Sequence, residues 1–254
     1  MESLRVLNAE ITACRACPRL VAWRERVARE KKPEYRDERY WGLPLPGFGD
    51  PGARVLVVGL APAAHGGNRT GRMFTGDSSG NTLMRALHAA GFANRPRSES
   101  RDDGLRLADL YITAAVRCAP PGNKPTPREF ANCGGYLGRE FALLDRVRVV
   151  VALGGHAFGA SLRLLESAGA AIPKPKPRFG HAVEHRFVVP GRSRPATLAF
   201  RSETGLRRGP RRVVLIGAYH PSRQNTNTGR LTQEMLDRVF RAAGRIARLP
   251  AGAP

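Results

Sequence analysis

Three groups of residues in this 254-residue chain have types and spacings that can do chemistry. The first is its complete set of four cysteines: Cys14 and Cys17 as C-x-x-C, then Cys118 and Cys133. The opening residues MESLRVLNAE lack a signal-peptide core, so a cytoplasmic setting is expected. There structural disulfides are disfavoured and thiolate ligation of a metal is the better reading. A zinc ribbon normally pairs two close knuckles, whereas fourteen residues separate Cys118 from Cys133. Four thiolates also satisfy an iron–sulfur cluster, and Pro18 directly after Cys17 suits one. Cluster, zinc and unligated thiols all stay open on spacing, with the cluster favoured and a structural role expected of it.

The second group is the run GLAPAAHGGNRTGRMFTGD, Gly59–Asp77. Its small residues let backbone amides approach a ligand, and Pro62 fixes a turn. It has neither the G-x-x-x-x-G-K-[ST] of a phosphate-binding NTPase loop nor a dinucleotide G-x-G-x-x-G, so those functions are disfavoured. The third group is His220-Pro-Ser-Arg-Gln-Asn225, continued by Thr226–Arg230, which is dense in hydrogen-bonding groups. Taken alone, His220 reads equally as a capping or core histidine. Asp77 likewise reads as the cap of a helix starting near Ser78–Asn81.

These residues need a frame. Short β-branched apolar runs at Arg54–Ala61, Asp109–Arg117, Val147–Leu153 and Val213–Tyr219 read as parallel strands buried on both faces. Helical patterns fall between and after them, at Asn81–Ala90, Pro127–Leu144, His156–Ala168 and Leu231–Arg248. Alternation of this kind predicts an α/β fold with an open parallel sheet covered on both faces. Ligands bind such sheets at the carboxyl ends of the strands, which selects the loops after Ala61, Arg117 and Tyr219. Residues 29–52 are expected to wrap the sheet irregularly. Residues 173–212 are expected to hold a hairpin strand at Val183–Val189 and then a basic stretch, RSETGLRRGPRR (Arg201–Arg212), which reads equally as a flexible surface loop and as a phosphate-contacting arm.

Charge narrows the partner. The chain carries 42 Lys+Arg against 21 Asp+Glu, and the excess is uneven. Residues 1–140 hold 22 basic and 15 acidic side chains, leaving 20 and 6 for residues 141–254. Arginine-rich usage explains Arg over Lys, but not the shortage of acids in the second half, which points to a polyanion such as nucleic acid. No stretch of about 18 apolar residues occurs, so no membrane partner is expected.

GLAPAAHGGNRTGRMFTGD, TAAVRCAPPGNKPTP and YHPSRQNTNTGRLT together resemble the motifs of family 5 (type B) uracil-DNA glycosylases, over most of the chain from Cys14 to about Met235. The resemblance implies a three-layer α/β/α sandwich around a four-stranded parallel sheet, in one domain spanning residues 1–254. It implies a [4Fe–4S] cluster on Cys14, Cys17, Cys118 and Cys133. The activity it implies is excision of uracil and other deaminated or damaged bases from double- or single-stranded DNA, by a monomer. Position by position, Phe74 matches the aromatic that stacks on the flipped base, and His220 the histidine that hydrogen-bonds the base carbonyl. Asp77 and Asn123 match groups that position water or substrate. By the same resemblance, Gly59, Ala61, Ala114 and Asn225 are expected to line the base site, and Ser222, Arg223 and Arg230 to hold the DNA backbone.

Three departures bear on selectivity. Sister families carry an acid or Asn near Leu60–Ala63, and this chain does not. Ala114 stands where an iron–sulfur sister family has an Asn that reads the uracil edge. Ala63 and Met73 replace an expected Gly and Pro. The first two imply broad base tolerance. The missing acid also sustains an alternative, a non-catalytic iron–sulfur module that recognises damaged DNA. A metallohydrolase acting through the cysteines is disfavoured, since four protein ligands leave a metal no open position.

Overall fold

The computed structural model describes residues 2–191 and 209–249. Its frame is a six-stranded sheet in the order β1-β3-β2-β4-β6-β5. The strands are β1 (Phe48–Gly49), β2 (Val55–Gly59), β3 (Leu110–Ala114), β4 (Val149–Leu153), β5 (Glu184–Val189) and β6 (Arg211–Ala218). The four strands expected from sequence are β2, β3, β4 and β6, all mutually parallel. The expectation of a four-stranded sheet is corrected by two antiparallel edges, β1 on β3 and β5 on β6. β1 is two residues long, too short for any periodicity to announce it. β5 falls where the hairpin strand was expected, and its one-sided burial suits an antiparallel edge.

Period-2 alternation sorts the strand side chains into two cores. Val55, Val57, Ile112, Val149, Val151 and Ile216 face one side, where they pack against α4 (Ser78–Ala89) and α8 (Gln233–Arg248). Leu56, Val58, Val150, Ala152, Val213 and Leu215 face the other, against α5 (Pro127–Leu143) and α6 (Gly155–Ser167). Both faces are thereby covered, as the apolar interiors of the parallel strands require. The helix starts are written locally: Asp77 caps α4, Thr126 and Glu129 form a capping box on α5, and Thr232 caps α8.

Two N-terminal helices that hydrophobic patterning did not single out are α1 (Leu4–Ala13) and α2 (Pro18–Glu30), so the irregular segment begins only after Glu30. Two short α-helices, α3 (Gly67–Thr70) and α7 (Arg223–Asn227), and two 3-10 turns, Pro33–Tyr35 and Pro121–Asn123, complete the described elements. The chain leaves β2 toward β3 and leaves β4 toward β6, so the strand order reverses between β2 and β4. That reversal opens a crevice at the carboxyl edge. Of the basic stretch, residues 201–208 lie outside the described residues, and Arg211 and Arg212 begin β6. No described helix is long and apolar enough to cross a membrane.

Candidate active site

β2 ends on Gly59, and the chain loops through α3 before returning along the same edge at Phe74. A Cβ on residue 59 would lie 2.9 Å from two ring carbons of Phe74, so glycine lets the ring pack directly on the strand end. Phe74 itself has φ 52°, a left-handed conformation that costs a non-glycine residue of order 1 kcal/mol or more. Its neighbours hold it there. Arg69 is buried, donates through Nε to His65 O (2.8 Å) and through Nη2 to Gly76 O (3.0 Å), and pairs with Glu38. Arg72 is buried too and donates to Ser98 Oγ (2.7 Å), Thr75 Oγ1 (3.1 Å) and Asp103 Oδ2 (2.6 Å). These two arginines clamp the loop on either side of Phe74. In the sequence they read only as surplus charge, because nothing local tells a buried guanidinium from a phosphate-binding one.

Asp77 serves two loops at once. Its Oδ1 accepts from the Gly80 N–H (2.7 Å) at the start of α4. Its Oδ2 faces Gly66 so closely that a Cβ there would lie 2.2 Å away. Burial pushes the carboxyl pKa up, opposed by the Gly80 and Ser79 amides and by Arg223 and Arg69.

His220 follows β6 and brings the third sequence group to the same place. Its ring centroid is 6.1 Å from that of Phe74, with the planes tilted by 35°. Its ring nitrogens make no hydrogen bond among the described residues. Burial lowers its pKa to about 4, so at neutral pH it is a neutral imidazole with one N–H to donate. The loop is shaped from below: Asn225 Nδ2 and the Ser222 N–H each donate to His220 O at 2.8 Å. The Ser222 hydroxyl caps α7 through the Asn225 N–H (3.3 Å). Asn225 therefore spends its amide N–H on the loop backbone. Arg223 reaches across to α4, donating to Ser78 Oγ (3.1 Å), and the Arg230 guanidinium lies 4.8 Å from the Tyr219 ring centroid. Both arginines are exposed at the mouth.

The remaining candidates divide. Ala114 ends β3 beside Gly59, is buried, and offers no polar group. Ala61 turns the other way, packing against the apolar patch of Cys17, Leu20, Val116, Cys118 and Cys133. Asn123 stands exposed on the turn Pro121–Asn123 with φ 57°, and no contact joins its side chain to Phe74, Asp77 or His220 among the described residues.

The four cysteines, 119 residues apart at their extremes, line one cavity with Arg24, Arg117, Asn132 and Tyr136. Cys14 ends α1, Cys17 precedes α2, Cys118 follows β3 and Cys133 lies on α5. None is in a disulfide. Burial pushes the Cys118 thiol up to about 11 and raises Cys133 as well. Among the described residues no three His, Cys, Asp or Glu side chains close on a point as the ligands of one metal ion would. Zinc–sulfur bonds of about 2.3 Å require such closure, whereas an iron–sulfur cluster fills a larger space between its thiolates.

The family model described as the uracil DNA glycosylase superfamily matches residues 46–244, a span that contains Gly59–Asp77, Ala114 and His220–Arg230. The chain belongs to the uracil-DNA glycosylase superfamily. It is 51% identical over 246 residues to a type-5 uracil-DNA glycosylase of Mycobacterium bovis, covering 96% of this chain and 82% of that protein. It is 49% identical to one of Mycobacterium leprae (96% of each chain) and 48% identical to one of Thermus thermophilus (94% and 96%). The superfamily match begins at residue 46, so α1 and α2, with Cys14 and Cys17, lie before it.

Proposed function

We propose that this chain is a monofunctional type-5 uracil-DNA glycosylase that hydrolyses the N-glycosidic bond of uracil in DNA. One observation carries the reading: a neutral, hydrogen-bond-free His220 faces the ring of Phe74 over Gly59 at the sheet's switch point. Uracil leaves as an anion, so the largest catalytic contribution comes from a donor aimed at the carbonyl oxygen where charge develops. His220 supplies that donor, with backbone amides of the Gly59–Gly67 loop beside it. Phe74 stacks on the extruded base, which offsets part of the few kcal/mol that flipping costs.

Asp77 holds the attacking water through Oδ2, leaving Oδ1 on the α4 cap. Its raised pKa suits a group that takes a proton from that water as the bond forms. Ser222, Arg223 and Arg230 engage phosphates around the extruded nucleotide and make binding salt-dependent. Asn225 supports the His220 loop at the edge of the base site, and Asn123 approaches the substrate from the loop after β3. Ala114 leaves the base edge unread, which favours tolerance of other deaminated bases. Gly59 completes the floor of the pocket, whereas Ala61 faces the cysteine patch.

The donor set at Cys14, Cys17, Cys118 and Cys133 fits a [4Fe–4S] cluster better than a single ion. Bound there, the cluster would cross-link the N-terminal helices to the loop after β3, and the cysteines take no part in the chemistry. The protein acts as one domain and as a monomer. Incubation with a duplex holding a single U·G pair, followed by alkali, tests the function. Strand cleavage at the uracil supports a glycosylase, whereas tight binding without cleavage would establish the non-catalytic recognition module instead.

A further inference from the structure

Four arginines are buried among the described residues, and three have a carboxylate within hydrogen-bond reach. Arg69 has Glu38, Arg72 has Asp103, and Arg117 has Glu140. Arg24, on α2 and only 1% exposed, does not. The carboxylate nearest it, on Glu25, lies 3.9 Å from Nη2 and hydrogen-bonds Arg15 instead. Arg24 Nη1 donates to Cys118 Sγ at 2.9 Å, both Nη atoms sit 3.4 Å from Cys14 O, and Nε has no partner. A buried cation with no carboxylate at hydrogen-bond distance is among the costliest features a protein can carry. A neutral thiol does not offset that cost, but an anionic group filling the cysteine cavity does.

A second cysteine repeats the pattern. Asn132 Nδ2 donates to Cys17 Sγ at 3.2 Å. Arg117 and Tyr136 line the same cavity. Two of the four sulfurs thus receive a donor, each from a different residue, which suits thiolates. Arg24 also faces the active site through its backbone. Its carbonyl accepts from Nδ2 of the fully buried Asn68 (3.2 Å) on α3, two residues beyond the Gly66 that packs on Asp77 Oδ2.

We infer that Arg24 is the charge partner of an anionic cysteine-bound cluster, and that it ties that cluster to the loop packed on Asp77. The inference rests on the cofactor proposed above, so iron and acid-labile sulfide in the anaerobically purified wild type are measured first. Their absence overturns the cofactor reading and, with it, Arg24's role. With the cluster present, R24K, R24Q and R24M are compared by three readouts: lifetime of the cluster's visible absorbance against a chelator, reduction potential, and single-turnover excision per cluster-loaded molecule.

Outer partners of metal sites are typically worth about 10- to 100-fold in affinity, so R24M and R24Q should lose the cluster roughly that much faster than wild type. Their potentials should fall, because removing a nearby positive charge disfavours the added electron, while R24K stays near wild type. Should R24M fail to fold, the R24Q–R24K pair alone decides, since Gln keeps a donor without the charge. Equal lifetimes and potentials in that pair would overturn the charge role. A wild-type excision rate in loaded R24Q would overturn the link to the loop.

Discussion

In the proposed mechanism, replacing His220 by Ala removes one hydrogen-bond donor aimed at the leaving base and nothing that holds the loop. Asn225 and Ser222 bind the residue's backbone carbonyl, not its ring, so α7 and Arg223 stay in place. Loss of a preorganised donor of this kind costs roughly 2.7–4 kcal/mol, or about 10²–10³ in rate. Single-turnover excision from a U·G duplex should fall by that factor, while affinity for a duplex carrying a non-cleavable uridine analogue changes little. Because burial lowers the His220 pKa to about 4, wild-type excision should show no inflection from this residue near pH 6.5.

Stability carries the opposite signature. The folded pKa lies below the unfolded value of about 6.5, so between pH 4 and 6.5 the unfolded chain binds more protons. The wild type therefore loses stability as pH falls through that window, by at most about 3 kcal/mol, and H220A should lack this loss. Excision by H220A within twofold of wild type, or an inflection near pH 6.5 that vanishes with the histidine, would refute the neutral-donor mechanism.

D77N keeps an oxygen for the Gly80 N–H and D77A does not. Both should excise slowly, but only D77A should lose about 1 kcal/mol in a denaturant titration, and a D77N enzyme at full rate would end the water-holding role. F74A gives up base stacking worth roughly 1–3 kcal/mol, to be read as a fall in single-turnover rate at subsaturating enzyme. An unchanged rate there would count against stacking. E140Q strips the charge from a carboxylate, itself 0% exposed, that holds the 1%-exposed Arg117 and also accepts from Thr113 Oγ1 (2.6 Å). Its midpoint of thermal unfolding should drop by about 10 °C, from a loss of about 3–5 kcal/mol in a chain of this size, and a drop of a degree or two would not fit. R223A and R230A should each reduce the slope of log affinity against log salt by about one, measured by fluorescence anisotropy, and unchanged slopes would remove them from the phosphates.

How far the sequence reached depends on the range of the forces involved. The four parallel strands were legible because full burial demands uninterrupted apolar residues, and the starts of α4 and α5 because a cap is a contact between near neighbours. The α1–α2 pair was hidden behind Cys14–Cys17, whose motif drew attention to ligation and not to the helices it joins. β1 was invisible because two residues carry no period.

For the site, the sequence by itself determined which loops meet, since the carboxyl edge of a parallel sheet gathers the segments after β2, β3 and β6 whatever their details. It also named Phe74, Asp77, His220 and the cysteines as side chains with chemistry to offer. Tertiary structure alone decided what state those side chains are in. His220 is a neutral donor because of what surrounds it, and Asp77 touches two loops because Gly66 leaves room. Arg69 and Arg72 clamp a loop, a role that their formal charge does not disclose. Burial and partner choice are set by residues tens of positions away, and a formal charge in a sequence carries neither.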